Sequence, residues 1–584
     1  MPGSIFSLRA LGIPPGARHA FYWVGYLRYR SVEMSRIVVA LLLACPMAWA
    51  HGGAFRPPPG RTPGDPTGGG GPRATTAGGG SGRGVPTWEA WWYLNRDPYL
   101  RIRERILERE VITGVHERED FFDRRAVREK VLLPVMLEAL EDQETAVRGA
   151  AAIACGKFRA LSAVPTLLAM FKEDDVREVR EASLLGLLLM RDPGLVPFFR
   201  GLALDGDEER NFRGVAVLAL GLVDDAGFLA DLLDRKAKLK GSATTVRDVR
   251  SSAPLALRSL GDPDPLAPLR ALALDRLDED QVRGYAAAAL GRLRTPLGAP
   301  EVVRLLKDDD GCQVARCGAA IAAGALIEPS QENMVDLMGK KAARDRNGAV
   351  RALLALSLGR IGGERAATHL VAAMGKADAE LRGFYYLGLG LSGHPDAGPI
   401  LLQTFGRLKN FSHRSACALG LGLAGHVEAA PLLREELARR HPGFVPHGMI
   451  ALALLDDREA IPLVQEILRD DKTPSVRREG AIALALLRRT AAVPELVKLF
   501  EETKSRFARG SIVSALGVVG TDKAVEPLLE IYRDRSRQGE ERALALAALG
   551  RIGDDARIPL LSTYAFDLNF YAACGAVAQV LSIL

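Results

Sequence analysis

The chain has 584 residues, of which 48% are hydrophobic, 25% charged and only 6% aromatic. That balance fits a folded protein, and its Ala and Leu content favours close-packed helices over strands. The formal net charge of +6 lies in residues 1–100, which hold ten Arg and four acids, and the rest cancels. A neutral array gives no general electrostatic basis for nucleic-acid binding.

Residues 1–33 carry no usable pattern. At Met34 a signal-like sequence begins: Met34-Ser-Arg36, an apolar run from Ile37 to Ala44, then Ala48-Trp-Ala50. This is a positive start, a short hydrophobic region and an A-x-A cleavage site, too short to span a bilayer. Residues 1–50 therefore read as a misassigned start plus a signal peptide, with a long n-region from Met1 as the alternative. Leu42-Leu43-Ala44-Cys45 also resembles a lipobox, which would place a lipid anchor at Cys45. Residues 51–86 contain 13 Gly and 7 Pro, which predicts a disordered linker.

Residues 87–125 are expected to form an N-terminal helical cap. Trp88, Trp91 and Trp92 fall at i, i+3 and i+4, on one helical face. A stacking platform for a ligand would look like this. A cap sealing the open end of a repeat array is the expected role.

From residue 126 to 584 one unit recurs. Val147-Arg148 opens a helix-like segment ending in Gly156, and equivalents of Arg148 fall at 180, 213, 250, 283, 315, 351, 382, 414, 446, 477, 509, 542 and 571. Ala315, Pro446 and Tyr571 break the Arg pattern. A second marker, a Pro such as Pro165, Pro197 or Pro462, holds phase with it. Pro in a first helical turn costs no hydrogen bond. An acidic turn follows, suited to the start of the next helix. Each unit is thus a pair of antiparallel helices, A and B, and the fold expected is an all-α solenoid of about 14 pairs.

The Pro in helix A, the Asp in the turn and the Arg six residues later resemble those of bacterial HEAT-repeat domain proteins, in particular the short HEAT-like type also found in phycobilisome lyases. The resemblance implies a ladder of side chains along the stack, carried here by Asp142 and Arg148, Asp174 and Arg180, Asp207 and Arg213, and Asp471 and Arg477. Helix spacings of ~8–10 Å over fourteen units predict a curved rod on the order of 130 Å long. Its concave side, lined by B helices, is the expected binding surface.

Two insertions are basic: Lys236, Lys238 and Lys240 in the first, Lys340, Lys341 and Arg344 in the second. Both are expected to enlarge the A–B turn, as an anionic-partner patch or a solvated loop. Between 382 and 447 the unit departs from its own pattern, with Phe384, Tyr385 and Tyr386 in place of small residues, His413 beside Arg414, and His447 beside Pro446. These five are the candidate partner-binding residues, against repacked core. His394 and His426 occupy equivalent turns, too far apart to share a metal at ~2.0–2.1 Å bonds.

Among six Cys there is no C-x-x-C pair, so no zinc or redox motif. The cysteines read as buried free thiols, with a Cys312–Cys317 bridge as the alternative in an exported protein. There is no G-x-S-x-G, Walker A or H-E-x-x-H, so neither catalysis nor a metal or cofactor is expected. The segment Phe570–Leu584 has almost no polar face, which leaves room for a homodimer. The expected function is a non-enzymatic scaffold in the periplasm or cell envelope, or secreted, binding protein or peptide partners. A chromophore- or cofactor-lyase subunit and a lipid-anchored envelope component are the alternatives.

Overall fold

The computed structural model describes residues 87–102, 104–105, 123–257, 266–276, 278–293, 295–309, 311–471, 473–556 and 567, all within the unit Ala50–Leu584. The expected signal peptide with Cys45, the Gly/Pro linker, the marker at Tyr571 and the apolar C-terminal helix lie outside the described residues. Among the described residues there is no strand, and no helix is long and apolar enough to cross a membrane. Thirteen A–B helix pairs follow one another, from Leu133–Ala139 with Thr145–Phe158 to Val525–Arg533 with Gly539–Ile552.

The local chemistry explains each pair. Pro165 stands in the first turn of helix Val164–Glu173, where its missing N–H has no intrahelical role. The acid of the turn folds back on the backbone. Asp174 accepts from the Val176 N–H at 2.9 Å and Asp142 from the Glu144 N–H at 3.0 Å, so each fixes the turn that launches helix B. Several B helices then stop on a left-handed residue, such as Arg159, Arg191 or Gly425.

The recurrent Arg ties two places at once. Arg180, Arg250 and Arg542 donate to Phe171, Leu233 and Tyr532, carbonyls at the end of the preceding A helix, at 2.8–2.9 Å. The same guanidinium reaches an acid of the next unit: Arg148 to Asp174 at 2.8 Å, Arg351 to Asp378 at 2.6 Å, Arg414 to Glu436 at 2.7 Å. The anticipated rungs differ in detail. Arg180 pairs with Glu208 at 2.9 Å in preference to Asp207, which is exposed. Arg213 donates to the Ala203 and Lys240 carbonyls. Arg477 donates to the Asp471 carbonyl and to Thr503 Oγ1. Ala315 is not a lost Arg: the rung is made one residue later, by Arg316 to Asp345. The second insertion does not enlarge a turn either. It lengthens helix Glu332–Arg344, while the first forms an irregular segment between Leu233 and Ala243.

B helices pack on B helices at very short range because their contact positions carry no side chain. A Cβ added at Gly517 would lie 2.8 Å from the Ala548 Cα. We expect Gly517→Val to force the two backbones apart at about 1–3 kcal/mol of stability, read as a lower Tm. An unchanged Tm would mean that this joint has slack.

The stack is not an open rod. The last B helix described, Gly539–Ile552, packs on the first, Thr145–Phe158. A Cβ at Gly550 would lie 2.8 Å from the Ala154 Cβ, the same kind of approach as between Gly517 and Ala548. Arg542 reaches Asp142 at 2.6 Å, a rung across 400 residues of chain. Arg535 also binds Asp142, and Arg128 binds Asp555. Burial works to raise the Asp142 pKa, but hydrogen bonds from Arg542, the Glu144 N–H and Arg535 outweigh it and hold the carboxyl below its usual range. The thirteen pairs therefore close into a ring, B helices inside and A helices outside.

Candidate functional site

The ring interior is the concave surface of this fold, and it is occupied by the chain itself. Helix Trp88–Asn95 starts on Thr87, whose hydroxyl accepts the Ala90 N–H. It does not cap the first repeat. Trp88 packs on Gly383, where an added Cβ would sit 2.2 Å from the indole. Its Nε1 donates to Ser412 Oγ at 2.9 Å, and its ring lies 5.0 Å from that of His447. Trp91 meets Phe384 edge-on, and Trp92 stacks on Tyr99. Further along, Arg96 forms an ion pair with Glu479 while Arg478 lies 4.4 Å over the Tyr93 ring. Arg105 donates to the Leu454 carbonyl. The segment thus crosses the interior from the N-terminal ends of B helices Arg382–Leu391, Phe411–Ala424 and Val445–Leu454 toward their C-terminal ends.

A buried network anchors its middle. Trp91 Nε1 donates to Asp567 Oδ1 at 2.9 Å. Arg360 holds both carboxylate oxygens of Asp567 and donates through Nε to Tyr99 Oη at 3.1 Å. The Asp567 N–H donates to Asn95 Oδ1 at 2.7 Å. Burial pushes the Tyr99 hydroxyl up to about 12, against the Arg360 charge. Two polar atoms at this interface are buried with no hydrogen-bond partner among the described residues, Trp92 Nε1 and His447 Nδ1.

The candidate partner-binding residues need correcting in this light. Phe384, Tyr385 and Tyr386 are 0%, 1% and 3% exposed, so none offers a free surface. Phe384 faces Trp91, and Tyr385 donates its hydroxyl to the Ala342 carbonyl. Tyr386 lies edge-on to His413, which contacts the Ala379 carbonyl. His447 takes up Trp88. Of the five, Phe384 and His447 face the chain's own N-terminal segment. In the basic insertions Lys236 pairs with Asp234 and Lys341 with Asp309, while Lys238, Lys240, Lys340 and Arg344 are exposed. His394 accepts the Asp396 N–H, and His426 faces Glu428. Cys312 and Cys317 are free thiols. Among the described residues no group of His, Cys, Asp and Glu could hold a metal ion.

Sequence reasoning missed Asn95, Arg96, Arg360, Glu479 and Asp567, because nothing in a repeat pattern links positions hundreds of residues apart. The available signal was that Gly383, Ser412, His447 and Glu479 all sit near the start of consecutive B helices.

The segment's seat is expected to respond to acid. Burial, with Arg478 and Arg96 nearby, pushes His447 down to about 4 against the pull of Glu479. Burial works to raise Glu479, but Arg96 and Arg478 outweigh it and bring it to about 2. Both folded values lie below the ordinary ~6.5 and ~4.3 of free His and Glu. The undocked state therefore binds more protons as pH falls, and docking weakens, first from about pH 6.5 to 4 through His447 and then lower through Glu479. We expect tryptophan emission to report solvent exposure of Trp88 over the upper window, and His447→Phe to remove that limb. A flat profile between pH 7 and 4 would contradict it.

The helix pairs, the Pro-acid-Arg unit and the rungs between neighbours agree with a family match. Residues 124–188 and 447–517 match the family model for HEAT repeats. These two stretches are HEAT repeats. No curated protein matches the chain. Solved HEAT-like structures do so distantly. Importin beta in an ammonium sulfate condition is 13% identical over 78% of this chain and 77% of its own, with a TM-score of 0.35. Kap121p bound to Pho4p is 13% identical over 84% of this chain and 56% of its own, at 0.33. Human deoxyhypusine hydroxylase in complex with glycerol is 19% identical over 51% of this chain and 96% of its own, at 0.20. At such distances none of them bears on partners or chemistry.

Proposed function

We propose that the protein is an exported, non-enzymatic scaffold of the cell envelope that binds protein or peptide partners through the inner wall of its HEAT ring. The observation that supports this reading is that the inner wall already accommodates a peptide segment. It does so by aromatic packing, an indole hydrogen bond to Ser412 and the Arg96–Glu479 pair, the ordinary chemistry of helix-in-groove recognition. Export rests on the stretch from Met34 to Ala50. Two measurements test it. N-terminal sequencing of protein from its native envelope fraction should find His51; a chain starting at Met1 would remove the export reading. Photo-crosslinkers placed at Glu178 and His413, on the N-terminal rim of the B helices, should capture a defined partner that the same group at the outward Lys498 does not. Equal capture from both faces would sink the inner-wall reading.

A further inference from the structure

We infer that the segment Trp88–Arg105 is a tethered ligand, not core, and that the inner wall takes in its place a partner helix of the same chemistry: aromatic residues at i, i+3 and i+4 and an Arg at i+8. The inference rests on the inner-wall reading above and adds what regulates that surface.

Three observations carry it. First, the ring closes without the segment. The Asp142–Arg542 rung and the packing of Gly550 on Ala154 and of Gly553 on Phe158 involve none of its residues. Second, its side chains meet complementary positions on the inner wall. Gly383 leaves room for one indole and Ser412 accepts its N–H; Phe384 meets the next Trp, and Glu479 takes the Arg. These positions lie on B helices Arg382–Leu391, Phe411–Ala424 and Pro474–Arg488, so the receptor is spread over several units as a groove would be. Third, the fit is incomplete. Trp92 Nε1 and His447 Nδ1 are buried there without a partner among the described residues, and an unmade buried hydrogen bond is costly. Trp92 leaves with the displaced segment, so a helix that brings a donor or acceptor to His447 Nδ1 would fit better than the chain's own.

Tethering sets the strength of the block. A short linker gives an effective concentration of roughly mM, so a free helix of equal affinity at ~10 μM captures only about 1% of intact rings. Weakening the tethered copy should open the site to the free one.

The probe is a fluorescent synthetic peptide spanning Thr87 to Arg105. We expect it to bind full-length Trp88→Ala/Trp91→Ala protein at least ~100-fold more tightly than the intact chain, and Gly383→Val added to that variant to abolish binding. A second form guards against misfolding: a protease site placed between residues 106 and 122, cut after folding, should let the native segment exchange for the labelled peptide. Retention of full helicity and of a monomer throughout supports the inference. Loss of helicity as the segment leaves would make it core. Dimers holding exchanged segments would make a second copy the occupant. No peptide uptake by either form would also overturn it. The inner-wall reading fails separately, by the crosslinking outcome: peptide exchange without any partner on the inner face would leave the tethered ligand standing and remove the scaffold.

Discussion

Asp142→Ala is expected to open the ring. The carboxylate is 7% exposed and is shared by Arg542, Arg535 and the Glu144 N–H. Its loss leaves Arg542, itself 3% exposed, with the Tyr532 carbonyl as its remaining described partner. Removing one member of a buried pair costs about 3–5 kcal/mol, because the other charge stays desolvated. An equivalent cut at an inner rung, Arg148 to Asp174, would loosen a joint that continuous chain still holds on both sides. At the closure no peptide bond links the two faces. So Asp142→Ala should lower Tm and also lengthen the particle in small-angle scattering, whereas Asp174→Ala should lower Tm alone. Asp142→Asn, which keeps shape and loses charge, should fall between. Acid should mimic the substitution. The folded pKa lies below the ordinary ~3.9, so the stabilisation is present above that value and is lost as pH falls through the folded one. Identical scattering for wild type and Asp142→Ala would show that helix packing alone keeps the ring shut.

Arg360→Ala is expected to have a comparable effect by a different route. Asp567 is wholly buried, and Arg360 contributes its only described cationic partner. Without Arg360 the carboxylate keeps just the Trp91 N–H, and Tyr99 loses its donor. The expected cost is again about 3–5 kcal/mol, but it falls on the docking of Trp88–Arg105 more than on the ring. The measurement is the tryptophan emission maximum together with Tm. A red shift preceding global unfolding is expected. Asp567→Asn in the Arg360→Ala background should recover part of the loss, since it removes the stranded charge. If the two substitutions instead add their separate costs, the pair is not coupled.

Much of the fold was legible because it is periodic. Pro165, Asp174 and Arg148 act within one unit or between neighbours, and a repeat writes such contacts into the sequence again and again. Even there a single offset misled, since Ala315 yielded its role to Arg316. Closure was not legible. Whether a superhelix of small-residue joints meets its own start depends on a few degrees of rotation per unit, which no pattern of residues expresses. The Trp face at 88, 91 and 92 was visible as apolar surface needing cover, but its cover lies some 300 residues away, at Gly383 and Ser412. In the aromatic copy after Arg382, Phe384 meets Trp91 of an internal segment, and Phe384 and Tyr386 are both turned from solvent.

Closure also changes how such a protein comes apart. An open array melts from its ends, where a terminal unit has one neighbour and frays first. Among the thirteen pairs described here every unit has two neighbours, so the first unit to leave must break two joints together. Unfolding should therefore be more nearly all-or-none than in an open array of equal length. The joint made by Gly539–Ile552 and Thr145–Phe158 brings together the first and last of the thirteen pairs and closes last among the joints, since long loops are slow to close. It follows that new chain ends could be cut into any outer turn and the old ones joined, with the same set of joints preserved in a different order.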